Sequence, residues 1–178
     1  DQPGIVHAVS GELFRLGGNI EEAAQYNDTG TGLFFMRVQF AAARQSAASL
    51  KEALAGMASH WRMAIELHPS QQKIPTVIMV SQYGHCLNDL LFRARAGTLP
   101  IDIRAVISNH DNFADLVVSH QVPFHHIAVT AATKAQAESQ QLAIIQQAGA
   151  ELVALARYMQ VRSDPTCRQL SGRATHIH

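Results

Sequence analysis

Thr76–Leu91, TVIMVSQYGHCLNDLL, decides the fold. Thr76–Val80 is a short apolar run rich in β-branched residues, the pattern of a strand buried on both faces. Ser81-Gln82-Tyr83-Gly84 is a turn, and Gly84 can take backbone angles that other residues avoid. Cys86, Leu87, Leu90 and Leu91 then fall at helical spacing. Strand, tight turn and helix open a parallel α/β sheet, and such sheets bind ligands beyond the carboxyl ends of their strands. The free N–H groups at the helix start face the same edge. A plain βα unit has this pattern too, so function must be read from specific residues around it.

Downstream the alternation continues. Asp102–Ile107 reads as a strand with apolar Ile103, Ala105, Val106 and Ile107. Asp111 is placed to cap a helix whose Phe113, Leu116, Val117 and His120 share a face. Phe124–Val129 is a third strand, and Thr133 with Gln136 has capping-box spacing for a helix to about Gln147. Glu151–Ala156 is a fourth strand, Asp164–Leu170 a helix, and Arg173–Ile177 the start of a fifth strand. The expected fold of this half is an open, mainly parallel sheet with helices on both faces.

Upstream the order differs. Asp1 or a neighbour can cap a first helix, and Pro3 suits its opening turn. Val6, Val9, Leu13 and Leu16 make one helical face, stopped by Gly17-Gly18. Asn19–Tyr26 is a strand, and Asn27–Gly32 has the composition of a hairpin turn. In Leu33–Phe40, Phe34, Met36, Val38 and Phe40 alternate with Arg37 and Gln39, a strand with one buried face. Helical spacing returns from Ser46 to Trp61 through Leu50, Leu54 and Met57. Met63, Ile65 and Leu67 alternate with polar or small residues and predict an edge strand. His68–Lys73, HPSQQK, is a short polar linker.

Composition excludes several classes. Lys+Arg and Asp+Glu number 14 each among 178 residues, so there is no basic footprint for nucleic acid or anionic membrane. No apolar run approaches the length that spans a bilayer. Hydrophobic residues at 47% suit a globular chain with a substantial core. Cys86 and Cys167 have no metal spacing and form no dense framework, so a cytoplasmic, reduced protein is expected. The ten histidines are scattered rather than grouped into one site.

Two resemblances sharpen this reading. Asp1-Gln2-Pro3-Gly4-Ile5-Val6 and Gly17-Gly18-Asn19-Ile20 resemble the ACT regulatory domain family, over residues 1–68. That resemblance implies a ferredoxin-like βαββαβ domain whose first strand would precede residue 1. It also implies an effector site at Gly17, Gly18 and Asn19, with glycine or methionine as candidate ligands. It further implies a homo-oligomer, a dimer or tetramer. Residues 69–74 are the linker.

The stretch 153–161, VALARYMQV, with Leu170-Ser171-Gly172-Arg173 and the ending His176-Ile177-His178, resembles the formyltetrahydrofolate-dependent formyltransferase and hydrolase family. Ile107-Ser108-Asn109-His110 and Pro123-Phe124-His125-His126 look like it too. The implied domain, residues 75–178, is the N-terminal part of a Rossmann-like formyltransferase sheet. The order of ACT domain, linker and this sheet is closest to the hydrolases of that family. The implied activity is hydrolysis of 10-formyltetrahydrofolate to formate and tetrahydrofolate, feeding formate to purine and one-carbon metabolism, with no cofactor.

By the same resemblance, Tyr158, Met159, Gln160 and Val161 are folate-binding positions, where the family threads the pterin along main-chain groups. His178 matches the family's catalytic His. His176 stands where the family has Asn, a departure, and the family's catalytic Asp would lie beyond residue 178. The residues alone permit the chemistry: an imidazole activates water or polarises a carbonyl near neutral pH, and 176 and 178 share a strand face. They equally permit a plain polar strand end, or a pair of zinc ligands without an obvious third. The family's transferases to glycinamide ribonucleotide carry Gly-Ser-Asn in the first loop. Here it is Gly84-His85-Cys86, and a thiol is a poor donor to phosphate. Formyl transfer and a non-catalytic amino-acid sensor are the alternatives to the hydrolase.

Overall fold

The computed structural model describes residues 2–42 and 45–178, which form two compact units divided between Ser70 and Gln71. In the first unit, α1 (Ile5–Arg15) leads into β1 (Asn19–Asp28), β2 (Leu33–Ala41) and α2 (Ala47–Trp61). β1 and β2 pair antiparallel, from Asn19 opposite Ala41 to Asp28 opposite Leu33. Their turn is built on Asp28, whose carboxylate accepts from Gly30 N at 3.0 Å and Thr31 Oγ1 at 2.6 Å. Ser46 caps α2 by accepting from Ser49 N at 3.2 Å. The cap expected from Asp1 lies outside the described residues.

Two expectations for this unit are corrected. Ile5 and Leu13 are the buried residues of α1, while Val6 is 42% exposed, so the apolar face sits nearer Ile5 than the spacing of valines implied. Met63–His68 alternates half-buried and exposed residues but forms no strand. In a split βαβ arrangement the last strand pairs with the first. The described residues open instead on α1, so this segment has no ladder to join.

The second unit alternates strand and helix throughout. Its elements are β3 (Ile74–Val80), α3 (His85–Ala96), β4 (Ile101–Ser108), α4 (Ala114–Ser119), β5 (Phe124–His126), α5 (Lys134–Gln147), β6 (Leu152–Ala156), α6 (Asp164–Gln169) and β7 (Ala174–Ile177). The five strands are all parallel, in the order β5-β4-β3-β6-β7. The chain therefore starts at the centre, winds outward one way, returns, and winds the other way, which is the doubly wound arrangement.

Side-chain parity assigns each strand residue to one of two cores. Val77, Met79, Ala105, Ile107, Val153 and Leu155 pack with Ala137 and Ile145 of α5. Ile78, Val80, Val106, Ala154 and Ala156 pack on the other face with Leu87, Leu90 and Leu91 of α3 and Val117 of α4. One irregularity interrupts β4. Thr76 pairs with Ile103 and Val77 with Ala105, so Arg104 is an extra residue. It is exposed and its Nε lies 2.7 Å from Asp102 Oδ2. A bulge of this kind adds one residue to one strand without disturbing the partner.

Local departures have local causes. β5 stops at His126 rather than Val129, because its partner β4 ends at Ser108, whose carbonyl accepts the last bond from Ile127 N at 2.8 Å. Thr133 does not cap α5; its Oγ1 accepts from Thr130 N at 3.0 Å in the preceding turn. Asp111 receives Ala114 N at 3.0 Å on its main-chain carbonyl, and α4 starts without a side-chain cap.

Candidate functional site

The winding reverses between β3 and β6, so the crevice expected of a doubly wound sheet lies beyond Val80 and Ala156. After β3, Ser81 is buried and Tyr83 exposed. Gly84 is forced by its neighbour. A Cβ there would lie 2.4 Å from Phe113 Cε1, so the β3 loop and the segment after β4 close on each other only without a side chain. Cys86 is buried in the first turn of α3, its Sγ 3.8 Å from Ile177 O.

After β6, Arg157 takes a left-handed conformation, φ 55°. That geometry costs a non-glycine residue roughly 1–2 kcal/mol. It is held from two sides. Arg157 N donates to Ile177 O at 3.1 Å, and its guanidinium sits 5.7 Å from the Tyr83 ring centroid across the crevice. Its Nε is buried and has no hydrogen-bond partner among the described residues. On the β4 side, Ser108 Oγ accepts from His110 N at 3.1 Å, and Asn109 Oδ1 is buried with no hydrogen-bond partner among the described residues.

The four positions after Arg157 divide sharply. Tyr158 is 2% exposed; burial holds its phenol above the usual range, and its hydroxyl accepts from Gln141 Nε2 at 3.0 Å. Met159 and Val161 are 61% and 80% exposed, and Gln160 is half-buried. Among the described residues none bonds to the main chain of Met159, Gln160 or Val161. Arg162 turns back under the segment. Its guanidinium donates to Gln141 Oε1 at 3.1 Å and lies 4.8 Å from the Tyr158 ring centroid. Burial pulls its pKa below the ordinary arginine value.

His176 and His178 end up side by side. β7 pairs His176 with Leu155 and ends at Ile177, and the two rings stack with centroids 5.6 Å apart and planes 21° from parallel. Ile177 points the opposite way, into the α3 core. Both imidazoles are exposed, and their carbonyl neighbour Ile177 O ties β7 to Arg157. Among the described residues no group of three or more His, Cys, Asp or Glu is placed to hold a metal ion.

The structure thus gathers the loops after β3, β4, β6 and β7 at one sheet edge. A depression of about 460 Å³ involving Phe124, His125, Gln140 and Ile144 lies along β5, at the far side of the sheet from β7, and does not take in the paired histidines. Elsewhere, Gly17 and Gly18 terminate α1. Gly17 N bonds Phe14 O at 2.9 Å and Gly18 N bonds Leu13 O at 2.8 Å, a Schellman stop with Gly17 at φ 73°. Gly18 also sits close to Phe40, and Asn19 opens β1 with its side chain exposed.

Tyr83 and Arg157 fall within stretches that the sequence marks as strand-end site candidates, 81–86 and 157–161, whereas Arg162, Glu138 and Gln141 carry no such mark. The one available signal was Glu138 and Gln141, polar residues three apart on a helix whose Ala137 and Ile145 face the core.

Comparison with known proteins agrees with this geometry. A curated chain from Corynebacterium sp. (strain P-1), named formyltetrahydrofolate deformylase, is 45% identical over 98% of this chain and 62% of its own length. One of the same name from Bacillus subtilis (strain 168) is 36% identical over 100% of this chain and 60% of its own. The crystal structure of formyltetrahydrofolate deformylase from Burkholderia mallei ATCC 23344 superposes with a TM-score of 0.80 at 40% identity, covering 100% of this chain and 63% of that one. This chain therefore spans rather less than two thirds of the length of such relatives. The formyl transferase profile matches residues 74–178, from the first strand of the parallel sheet to the paired histidines. By that match, which takes in every loop of the crevice, the chain belongs to the formyl transferase family.

Proposed function

We propose that the protein hydrolyses 10-formyltetrahydrofolate to formate and tetrahydrofolate, without a cofactor. The observation that carries this over formyl transfer is the inward turn of Cys86. The third position of the Gly84-His85-Cys86 loop faces Ile177 O and the α3 core, so it offers no donor to a nucleotide phosphate. Water is then the acceptor. It adds to the formyl carbon, the carbonyl oxygen becomes an oxyanion, and the C–N10 bond breaks as N10 takes a proton.

In this reading His178 polarises the formyl group or accepts the water proton. His176, stacked on it, donates toward the oxyanion in the place of an amide. The pterin lies along Tyr158, Met159, Gln160 and Val161, whose open main-chain groups suit a flat heterocycle rich in donors and acceptors. Residues 1–68 form the ACT domain and 69–74 the linker. Gly17, Gly18 and Asn19 receive glycine or methionine, and the protein is a cytoplasmic homo-oligomer. The two helices and antiparallel pair of the first unit support that assignment.

The test is formate release from 10-formyltetrahydrofolate by the full-length protein carrying this sequence, with no nucleotide present. Release supports hydrolysis. A strict requirement for glycinamide ribonucleotide would replace it with the transferase.

A further inference from the structure

Segment 157–163 is gripped from below by one helix. Glu138 and Gln141 lie three apart on α5 and are 8% and 1% exposed, so two polar side chains occupy an otherwise apolar face. Polar groups are retained in such a place only when they are bonded. Gln141 spends both ends of its amide on the segment, donating to the Tyr158 hydroxyl and accepting from Arg162. Glu138 accepts from Ser163 N at 3.0 Å, from Ser163 Oγ in a short bond, and from Thr166 Oγ1 at 2.9 Å. Ser163 is the N-cap residue of α6 but makes no cap bond of its own, because Glu138 holds it instead. The segment is therefore pinned at 157 and 158, and again at 162 and 163. Between the pins, no described residue bonds to the main-chain groups of Met159, Gln160 and Val161.

We infer that Glu138 and Gln141 are positioning residues, a bracket on α5 that holds the Met159–Val161 main chain open for the folate ring. The inference rests on the proposed function and says which part of the fold builds its binding edge. A chain with three free residues would close on itself or sample many conformations. Pinning both ends removes that freedom before ligand arrives, and preorganisation of this kind raises affinity without new contacts. Neither side chain touches the reacting atoms, so the effect falls on binding rather than on the chemical step.

The experiment uses the full-length protein with Gln141→Leu, Gln141→Glu and Glu138→Gln. Tetrahydrofolate binding is measured by calorimetry, steady-state KM and kcat by formate release, and amide hydrogen exchange across 157–163 without ligand. Gln141→Leu removes the donor to the Tyr158 hydroxyl and one of the two acceptors of Arg162, whose other bond, to Met79 Sδ, remains; it is expected to weaken binding and raise KM by roughly tenfold, with kcat within about twofold. Gln141→Glu keeps the acceptor for Arg162 and lets the Tyr158 hydroxyl donate where it now accepts, and is expected to restore most of the affinity. Glu138→Gln, which loses one acceptor oxygen, is expected to speed exchange at Ser163 and to raise KM. If Gln141→Leu fails to fold, Glu138→Gln, which keeps the side chain's size and one acceptor oxygen, reads the same split. Equal KM and equal exchange in all variants overturn the bracket. An unaltered protein that binds no tetrahydrofolate overturns the functional reading beneath it, whatever the exchange pattern.

Discussion

Gly84→Ala tests the closest approach in the crevice. The new methyl would meet Phe113 Cε1 at 2.4 Å and Cζ at 2.6 Å, roughly 1 Å inside the ~3.5 Å at which carbon atoms touch. The backbone itself is no obstacle, since Gly84 has φ −98°. Removing a glycine from the unfolded chain would then stabilise by about 0.4–1 kcal/mol. Overpacking costs about 1–3 kcal/mol, and the Phe113 ring packs on the α3–α4 core rather than swinging free. The balance is a loss of about 1–2 kcal/mol. The assay is urea denaturation of the full-length protein followed by far-ultraviolet circular dichroism. Trp61, the single tryptophan among these 178 residues, lies in the first unit. Phe113→Leu makes room for the methyl, so the double variant should be more stable than the sum of the single changes by about 1 kcal/mol. A Gly84→Ala protein as stable as the parent or more so, with no coupling to Phe113, would refute the close packing of these two loops.

His178→Ala is expected to lower formate release by roughly a hundredfold or more while tetrahydrofolate still binds, and activity within a few-fold would refute its role. His176→Asn is expected to raise release. At Arg157, glycine relieves the left-handed backbone and valine worsens it, so urea denaturation should rank Arg157→Val below Arg157→Gly by about 2 kcal/mol. Burial pushes the Glu138 carboxyl up, but its bonds from Ser163 and Thr166 outweigh that and hold it below its ordinary value of 4.5. Its contribution is then full above that value and is lost as pH falls through the lower folded value, so Glu138→Gln should flatten the acid limb of a stability–pH curve. Light scattering with calorimetric titration of glycine and methionine tests the first unit; a monomer that binds neither would remove the regulatory reading and leave the hydrolase one intact.

The parallel sheet was legible because its central strands are buried on both faces. A run such as VIMV at 77–80 has few other uses, and turn residues separate it cleanly from the helix after it. Ends were less legible. Phe124–Val129 reads as strand throughout, but a strand is only as long as its partner, and the limit at Ser108 is a property of β4. Met63–His68 has the right period and still forms no ladder, since period reports burial and not pairing. At the site, the pairing of His176 with His178 follows from strand parity alone. The bracket does not. Glu138 and Gln141 show in the sequence only as two polar residues three apart beside the apolar positions of a helix, and their partners Tyr158, Arg162 and Ser163 are 17 to 25 positions away. Nor does sequence show that Arg157 bends left-handed, because arginine carries none of the signal that glycine would.

The extra residue in β4 bears on how this strand can change length. Deleting Arg104 would join Ile103 directly to Ala105, and both already occupy the faces that an unbroken strand would give them, with Ile103 toward the α3 core and Ala105 toward α5. Deleting Ala105 instead would draw Arg104 into register opposite Val77, and a guanidinium would enter a core where Val77 has no exposed surface. A single-residue deletion is thus tolerable at one position of a buried strand and ruinous one step later. Variation in length between related chains has a natural place to accumulate there, upstream of Ser108 and the loop it anchors, without moving either.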